Sequence, residues 1–314
     1  MGKRGVQYFT LSEMEPRVWF MLTGCNFRCK GCFRPARDGG GTALTAIETL
    51  EIMEEACLNY YGTVPTEAMI TGGEPTLDKA YLLSLVKGLR KREFEKIVLM
   101  TNGYALGVDE DYVQKLEEAG LTEAHVDLKA FSGDVHKWYT SKSNKPVLRA
   151  IEKLSASGIE LLVQTVYIPG IVDEKEIEQI AKFLASLNKN IRYRINPFSP
   201  AFAHERVTTR MPSIEEMERA YEIASEHLHN VIISRSCYRE YPTPPPQKTW
   251  VTVYPDLSFK RRSMEDQNKE RISWVSQSQS RSAEEILRDK AVEKGMIREI
   301  EEGRLKRTSS GSTL

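Results

Sequence analysis

The chain has 314 residues, 40% of them hydrophobic, with 44 Lys and Arg balancing 44 Asp and Glu to a formal net charge of +0. That length suits one α/β barrel with an appendage, and the hydrophobic fraction is enough for a sizeable core. The cancelled charge gives no global field for nucleic acid or an anionic membrane, and no run approaches the roughly 18 apolar residues of a membrane span.

Met1–Pro16 carries Lys3 and Arg4 but no apolar segment of a signal peptide, so a cytoplasmic protein is expected. Strands are predicted near Arg17–Thr23, Glu67–Thr71, Lys96–Thr101, Ala124–Lys129, Glu160–Ile168 and Arg192–Pro197. Between them the helical candidates are Leu44–Tyr61, Ala80–Arg92, Glu110–Ala119, Pro146–Ser157 and Glu174–Leu187. In the first, Leu50, Met53, Cys57 and Tyr61 share a face, and Gly120 and Gly158 stand where C-cap turns belong. Strict alternation of six strands with helices predicts a parallel sheet curled into a partial (β/α)6 barrel. The expected domains are a barrel over residues 1–200, a C-terminal α+β extension over 201–307 and a disordered tail over 308–314. Within the extension we expect a helix over Ile214–His227, a strand near Val231–Ser234 and an extended linker over Tyr241–Gln247. A hairpin over Trp250–Arg262 turning at Pro255–Ser258, a loop over Val275–Ser282 and a charged helix over Ala283–Lys306 complete it.

Five cysteines, three of them between Cys25 and Cys32, are spaced as a metal or redox site and not as a disulfide framework. Cys25-Asn-Phe-Arg-Cys29-Lys-Gly-Cys32 follows the first predicted strand directly. Ferredoxin-type clusters take four thiolates. A cubane held by Cys25, Cys29 and Cys32 alone leaves one iron open to a ligand. The competing assignment, structural zinc, needs a fourth ligand, and the first histidine in the chain is His125. Arg28, Lys30, Arg34 and Arg37 crowd the loop, so they should favour thiolates and present a basic face to an acidic flavodoxin or ferredoxin. Cys57 reads as a small buried hydrophobe.

This loop resembles that of the radical S-adenosylmethionine (SAM) superfamily, and Thr71-Gly-Gly-Glu-Pro-Thr76 resembles the superfamily's GGEP stretch. Thr101-Asn-Gly103, Asp127-Leu-Lys129 and Val166-Tyr-Ile-Pro-Gly170 follow at the ends of successive strands, most similar to the pyruvate formate-lyase activating enzymes. The resemblance covers about residues 15–200. It implies a single [4Fe–4S] cluster on the three cysteines and a SAM site built from Gly72, Gly73, Glu74, Thr101, Asn102, Asp127 and Lys129. In that site Glu74 and the glycine carbonyls would accept from SAM's ammonium, Asp127 would pair with its amino group and Lys129 with its carboxylate. Three departures are visible. The residue before the third cysteine is Gly31, not an aromatic one, with Phe33 just after, so Phe33 is counted in the cofactor site. Met100 replaces the acid expected before Thr101, and Ser199 stands where a ribose-contacting His belongs.

The hairpin and following helix resemble the extension of SPASM or twitch radical SAM proteins, but Cys237 is the only cysteine there and cannot hold a second cubane. It reads as a structural thiol, with hydrogen donation as its catalytic alternative. The implied activity is reductive cleavage of SAM to a 5′-deoxyadenosyl radical that abstracts hydrogen from a substrate: a small molecule, lipid, nucleotide or peptide. An appendage able to close the barrel mouth favours this over a glycyl-radical activase acting on a partner protein.

Overall fold

The computed structural model describes residues 2–32, 34–200, 203, 207, 209–234, 249–263, 265–267, 269, 270 and 273. Phe33, Cys237, the Pro-rich run, the 275–282 loop, the last predicted helix and the tail lie outside the described residues.

Two antiparallel strands open the chain, β1 (Arg4–Ser12) and β2 (Val18–Leu22). A short β3 (Thr42–Leu44) returns to pair with β1. From β2 onward the sheet is parallel, through β4 (Glu67–Gly72), β5 (Lys96–Thr101), β6 (Glu123–Asp127), β7 (Glu160–Tyr167), β8 (Arg192–Pro197) and β9 (Asn230–Ile233). The hairpin of β10 (Thr249–Val253) and β11 (Phe259–Ser263) completes the sheet, whose order is β11-β10-β1-β2-β4-β5-β6-β7-β8-β9. The crossovers run through α1 (Ala46–Tyr61), α2 (Lys79–Lys91), α3 (Tyr104–Val108), α4 (Tyr112–Ala119), α5 (Gly133–Thr140), α6 (Lys145–Ser155), α7 (Glu174–Leu187) and α8 (Ile214–Ser225). Among the described residues the two edges, β11 and β9, do not pair, so the barrel is open.

Local chemistry explains the boundaries. Thr45 and Glu48 form a reciprocal capping box at the start of α1, and Gly62 ends it in the left-handed region. Ser213 and Glu216 do the same for α8. Gly120 caps α4 at φ 97°, as predicted. Gly158 does not cap a helix: its N–H donates to Glu117 Oε1 at 2.8 Å, and a Cβ there would crowd that oxygen.

The six predicted barrel strands are present, and β9 adds a seventh parallel neighbour. Absent from the sequence-level expectation was β1. Its buried residues Val6, Phe9 and Leu11 are spaced three and then two, because a bulge lies between Val6 and Tyr8. The bulge breaks the period-two alternation that marks a strand. β1 also decides where the C-terminal hairpin goes. Phe9 to Ser12 pair with Trp250 to Val253, so the hairpin extends the sheet at the β1 edge and does not lie across the barrel mouth. Of the run Lys260-Arg261-Arg262, Arg261 pairs with Glu13 and the buried Arg262 with Glu270.

Register aligns the strand ends: Leu22 sits opposite Gly72, Thr101 opposite Val126, Asp127 opposite Gln164, and Tyr167 opposite Pro197. All the motif stretches therefore emerge at one rim. The opposite rim is an ion network. The buried Glu123 accepts from Arg192 at 2.6 Å, contacts His125 Nε2 at 2.6 Å and pairs with Lys96 at 3.3 Å. Burial raises the Glu123 pKa, but the bonds from His125 and Arg192 outweigh it and hold the carboxyl down at about 2.

A depressed carboxyl pKa contributes stability that is present above the unfolded value of about 4.3 and lost as pH falls towards 2. Glu123→Gln should therefore destabilise the fold at pH 7. The cost lies between the ~1 kcal/mol of an exposed pair and the ~3 kcal/mol of a buried one, because Lys96 and Arg192 reach solvent. Urea denaturation of both proteins should show the gap closing between pH about 4.5 and 2; a pH-independent gap would contradict the network's ionic character.

Candidate active site

The cysteine loop leaves β2 at its C-terminal end and is fastened from three sides. Gly24 N–H donates to Ala36 O at 2.7 Å and Glu74 N–H to Gly24 O at 2.7 Å, joining the loop stem to the end of β4. Arg28 N–H and Lys30 N–H donate to the carbonyls of Thr140 and Tyr139, at 2.9 and 3.0 Å, at the C-terminus of α5. Free helix C-terminal carbonyls thus find partners in the loop. Phe27 is buried edge-on against Tyr104 and His136, which brings a histidine next to the loop in space.

Gly72 and Gly73 permit close packing of the chain on itself. Gly72 has φ 131°, and a Cβ would collide with the Leu22 backbone; at Gly73 it would run into Gly24 and lie 2.8 Å from Ala36 O. Glu74 is 1% exposed and its carboxylate is fully engaged. Oε1 accepts from Thr76 N–H (3.0 Å), Thr76 Oγ1 (2.6 Å) and Thr101 Oγ1 (2.7 Å), and Oε2 from Asn102 N–H (2.7 Å). Burial pushes its pKa up, while these donors oppose that shift. In the ligand-free structure the expected acceptor for SAM's ammonium thus holds protein donors. The carboxylate ties β4 to β5, and Arg4 from β1 donates to the Glu74 carbonyl at 2.6 Å. Asn102 extends the linkage: its Nδ2 donates to Asn26 Oδ1 at 2.7 Å and stands 3.9 Å from Cys25 Sγ. Asn26 and Thr76 lie inside the motif stretches but were given no role there, and Arg4 was not anticipated.

Asp127 and Lys129, from the end of β6, pair with one another at 3.0 Å, with Lys129 mostly buried. Burial lowers the Lys129 pKa, but Asp127 and Cys29 raise it further, so the ammonium is retained. Burial dominates at all three thiols. It pushes Cys25 up to about 11 and raises Cys29 and Cys32, with Lys129 opposing at each. Of the four basic residues expected around the loop, Arg37 and Arg34 also oppose the rise at Cys32. Arg37 is buried and bound to Asp38 at 2.8 Å, while Arg28 is exposed and Lys30 lies over the Trp138 ring at 5.4 Å. Ser199 is half-buried beyond β8, next to the buried Phe198. Cys57 is buried in α1 against Met53, as expected. A groove of about 470 Å³ lies at the other rim, lined by Ser157, Glu160, Asn190, Arg192 and Asn230 among others.

Residues 19–184, over half of the chain, match the Radical SAM superfamily. The chain belongs to that superfamily. It is 34% identical over 235 residues to a Methanocaldococcus jannaschii protein provisionally named a glycyl-radical enzyme activating enzyme, covering 73% of this chain and 84% of that one. It is 30% identical over 166 residues to an Archaeoglobus fulgidus protein provisionally named a GTP 3′,8-cyclase, and here it spans only 53% of the relative's length. The fold is similar to Streptococcus suis SuiB bound to S-adenosylmethionine, with TM-score 0.56, 14% identity, and coverage of 70% of this chain and 51% of that one. The protein is thus an enzyme whose cofactors are a [4Fe–4S] cluster on three cysteines and SAM.

The residues fit those groups. Phe27 N–H at 3.4 Å and Asn102 Nδ2 both aim donors at Cys25 Sγ, as a thiolate ligand requires. Among the described residues no three His, Cys, Asp or Glu side chains converge on a single ion. A cubane makes no such demand, since its thiolates bind different irons.

Glu74→Gln turns one acceptor into a donor facing donors, which should cost about 1–3 kcal/mol in the ligand-free protein. It should also speed amide exchange at Gly24–Cys29 and Asn102. Unchanged melting and exchange combined with weaker SAM binding would instead make Glu74 a ligand contact.

Proposed function

We propose that this enzyme binds one cluster through Cys25, Cys29 and Cys32, holds SAM beside it at the strand ends, and abstracts hydrogen from a substrate admitted at that rim. The observation that supports it is the placement of three partly buried thiols within the field of Lys129, which pairs with Asp127. When bound, the reduced cluster and SAM supply an electron and the 5′-deoxyadenosyl radical. The chain's own part is positional. Lys129 brings a cation to a SAM carboxylate, and Asp127 offers an acceptor to the amino group, each exchanging its present partner for the ligand. The Asn102–Asn26 bond holds the Cys25 end of the loop, while Glu74 fixes Asn102. Flavodoxin or ferredoxin is the proposed reductant, supported by exposed Arg28 and by Lys30 over Trp138, 46% exposed, beside the cluster loop.

Two results would test the cofactor assignment. Anaerobically purified protein should carry about four iron atoms per chain, lost in Cys29→Ala and kept in Cys57→Ser and Cys237→Ser; about eight would show a second cluster. Lys129→Ala removes a charge-assisted bond of ~1.5–3 kcal/mol, so SAM affinity should fall about ten- to a hundred-fold by equilibrium dialysis. Unaltered affinity would remove Lys129 from the site.

The second reading, activation of a glycyl-radical enzyme, is favoured by the 34% identical relative with that provisional name. Closure of the mouth by the hairpin no longer weighs against it, since the hairpin sits at the β1 edge. Deuterium tracing separates the two. Label arriving in 5′-deoxyadenosine from a small substrate supports direct modification. Label from a partner's glycine, with a persistent glycyl radical by EPR, supports activation.

A further inference from the structure

Gly31 precedes the third cysteine and is half-buried. A Cβ built on it would overlap the hydroxyl of Tyr139 and come within 2.8 Å of the Phe198 ring. Tyr139 is 4% exposed, sits in the last turn of α5, and packs with Phe198, Ala130, Ile168 and Val172 in a cluster that also touches Cys29. Its carbonyl holds Lys30 N–H at 3.0 Å, so loop and tyrosine are fixed to each other through the backbone. The absence of a side chain at position 31 is therefore complementary to a phenol delivered from a helix over a hundred residues away. The hydroxyl therefore stands at residue 31, directly before Cys32 in the chain, and a phenol O–H is a hydrogen-bond donor.

We propose that Tyr139 is a positioning residue that donates a hydrogen bond from its hydroxyl to cluster sulfur on the Cys29–Cys32 side, through the opening left by Gly31. Such a donor stabilises the reduced cluster, which carries one more negative charge, more than the oxidised one, and so raises the reduction potential. It gives the loop, by way of α5, a contact that its own residue 31 cannot supply. The proposal rests on the cluster assignment above, which iron content and EPR of the unmodified enzyme establish separately.

The test is redox titration of the holoenzyme monitored by EPR, with Tyr139→Phe as the main variant. The phenyl ring keeps the packing against Phe198 and Ile168, so cluster content and melting should be retained. The midpoint should move negative by about 59 mV, which is a tenfold change in the oxidised-to-reduced ratio at fixed poise for one electron. Gly31→Ala, which displaces the hydroxyl, should move it in the same direction. The exchangeable-proton coupling seen by ENDOR after transfer of the unmodified enzyme into D₂O should shrink in Tyr139→Phe. A fully loaded Tyr139→Phe at the unmodified potential would overturn the proposal. If that variant does not load, Gly31→Ala at the unmodified potential would do so equally.

Discussion

A buried carboxylate without hydrogen-bond partners would destabilise the fold, and Glu74 accepts four hydrogen bonds from three residues, with the Arg4 guanidinium also acting on it. The rest of the site hangs from that arrangement. Thr101 and Asn102 are drawn to β4, Asn102 is oriented so that its amide reaches Asn26, and Asn26 lies inside the cysteine loop. Because Gly72 and Gly73 let the loop stem rest on β4, the same few residues fix the loop at its start and its Cys25 end.

The loop's other end depends on α5. It supplies carbonyls to Arg28 and Lys30, the phenol of Tyr139, and His136 behind Phe27, with Thr140 Oγ1 donating to the His136 carbonyl. Burial of the thiols is costly for a thiolate in the metal-free protein, so the cysteines stay protonated until metal displaces the protons. Lys129 is the cation that acts on all three sulfurs, and its partner Asp127 holds it in place.

The two rims divide the labour. At the N-terminal ends of the strands, Glu123 with Lys96, His125 and Arg192 forms an ion network around one buried acid. At the C-terminal ends the polar groups are arranged around the loop, as barrel enzymes place their chemistry. The extra strands β1, β10 and β11 widen the sheet at one edge and leave the rim itself to the loops.

Much of this was legible in the residues. The cysteine spacing, the alternation of apolar runs with capped helices, and the motif stretches at strand ends determined the superfamily, the parallel barrel and the set of residues at one rim, because these signals are local. Three outcomes were decided only by tertiary structure. The bulged β1 hid its strand period and with it the place of the hairpin. Glu74 follows a strand, and half of the hydrogen bonds its carboxylate accepts come from Thr101 and Asn102 at the end of β5, which only the parallel register brings near. Gly31 is a bare departure from a family pattern until α5 folds Tyr139 against it, because a space at one position and the group that fills it are related by packing and not by any local signal.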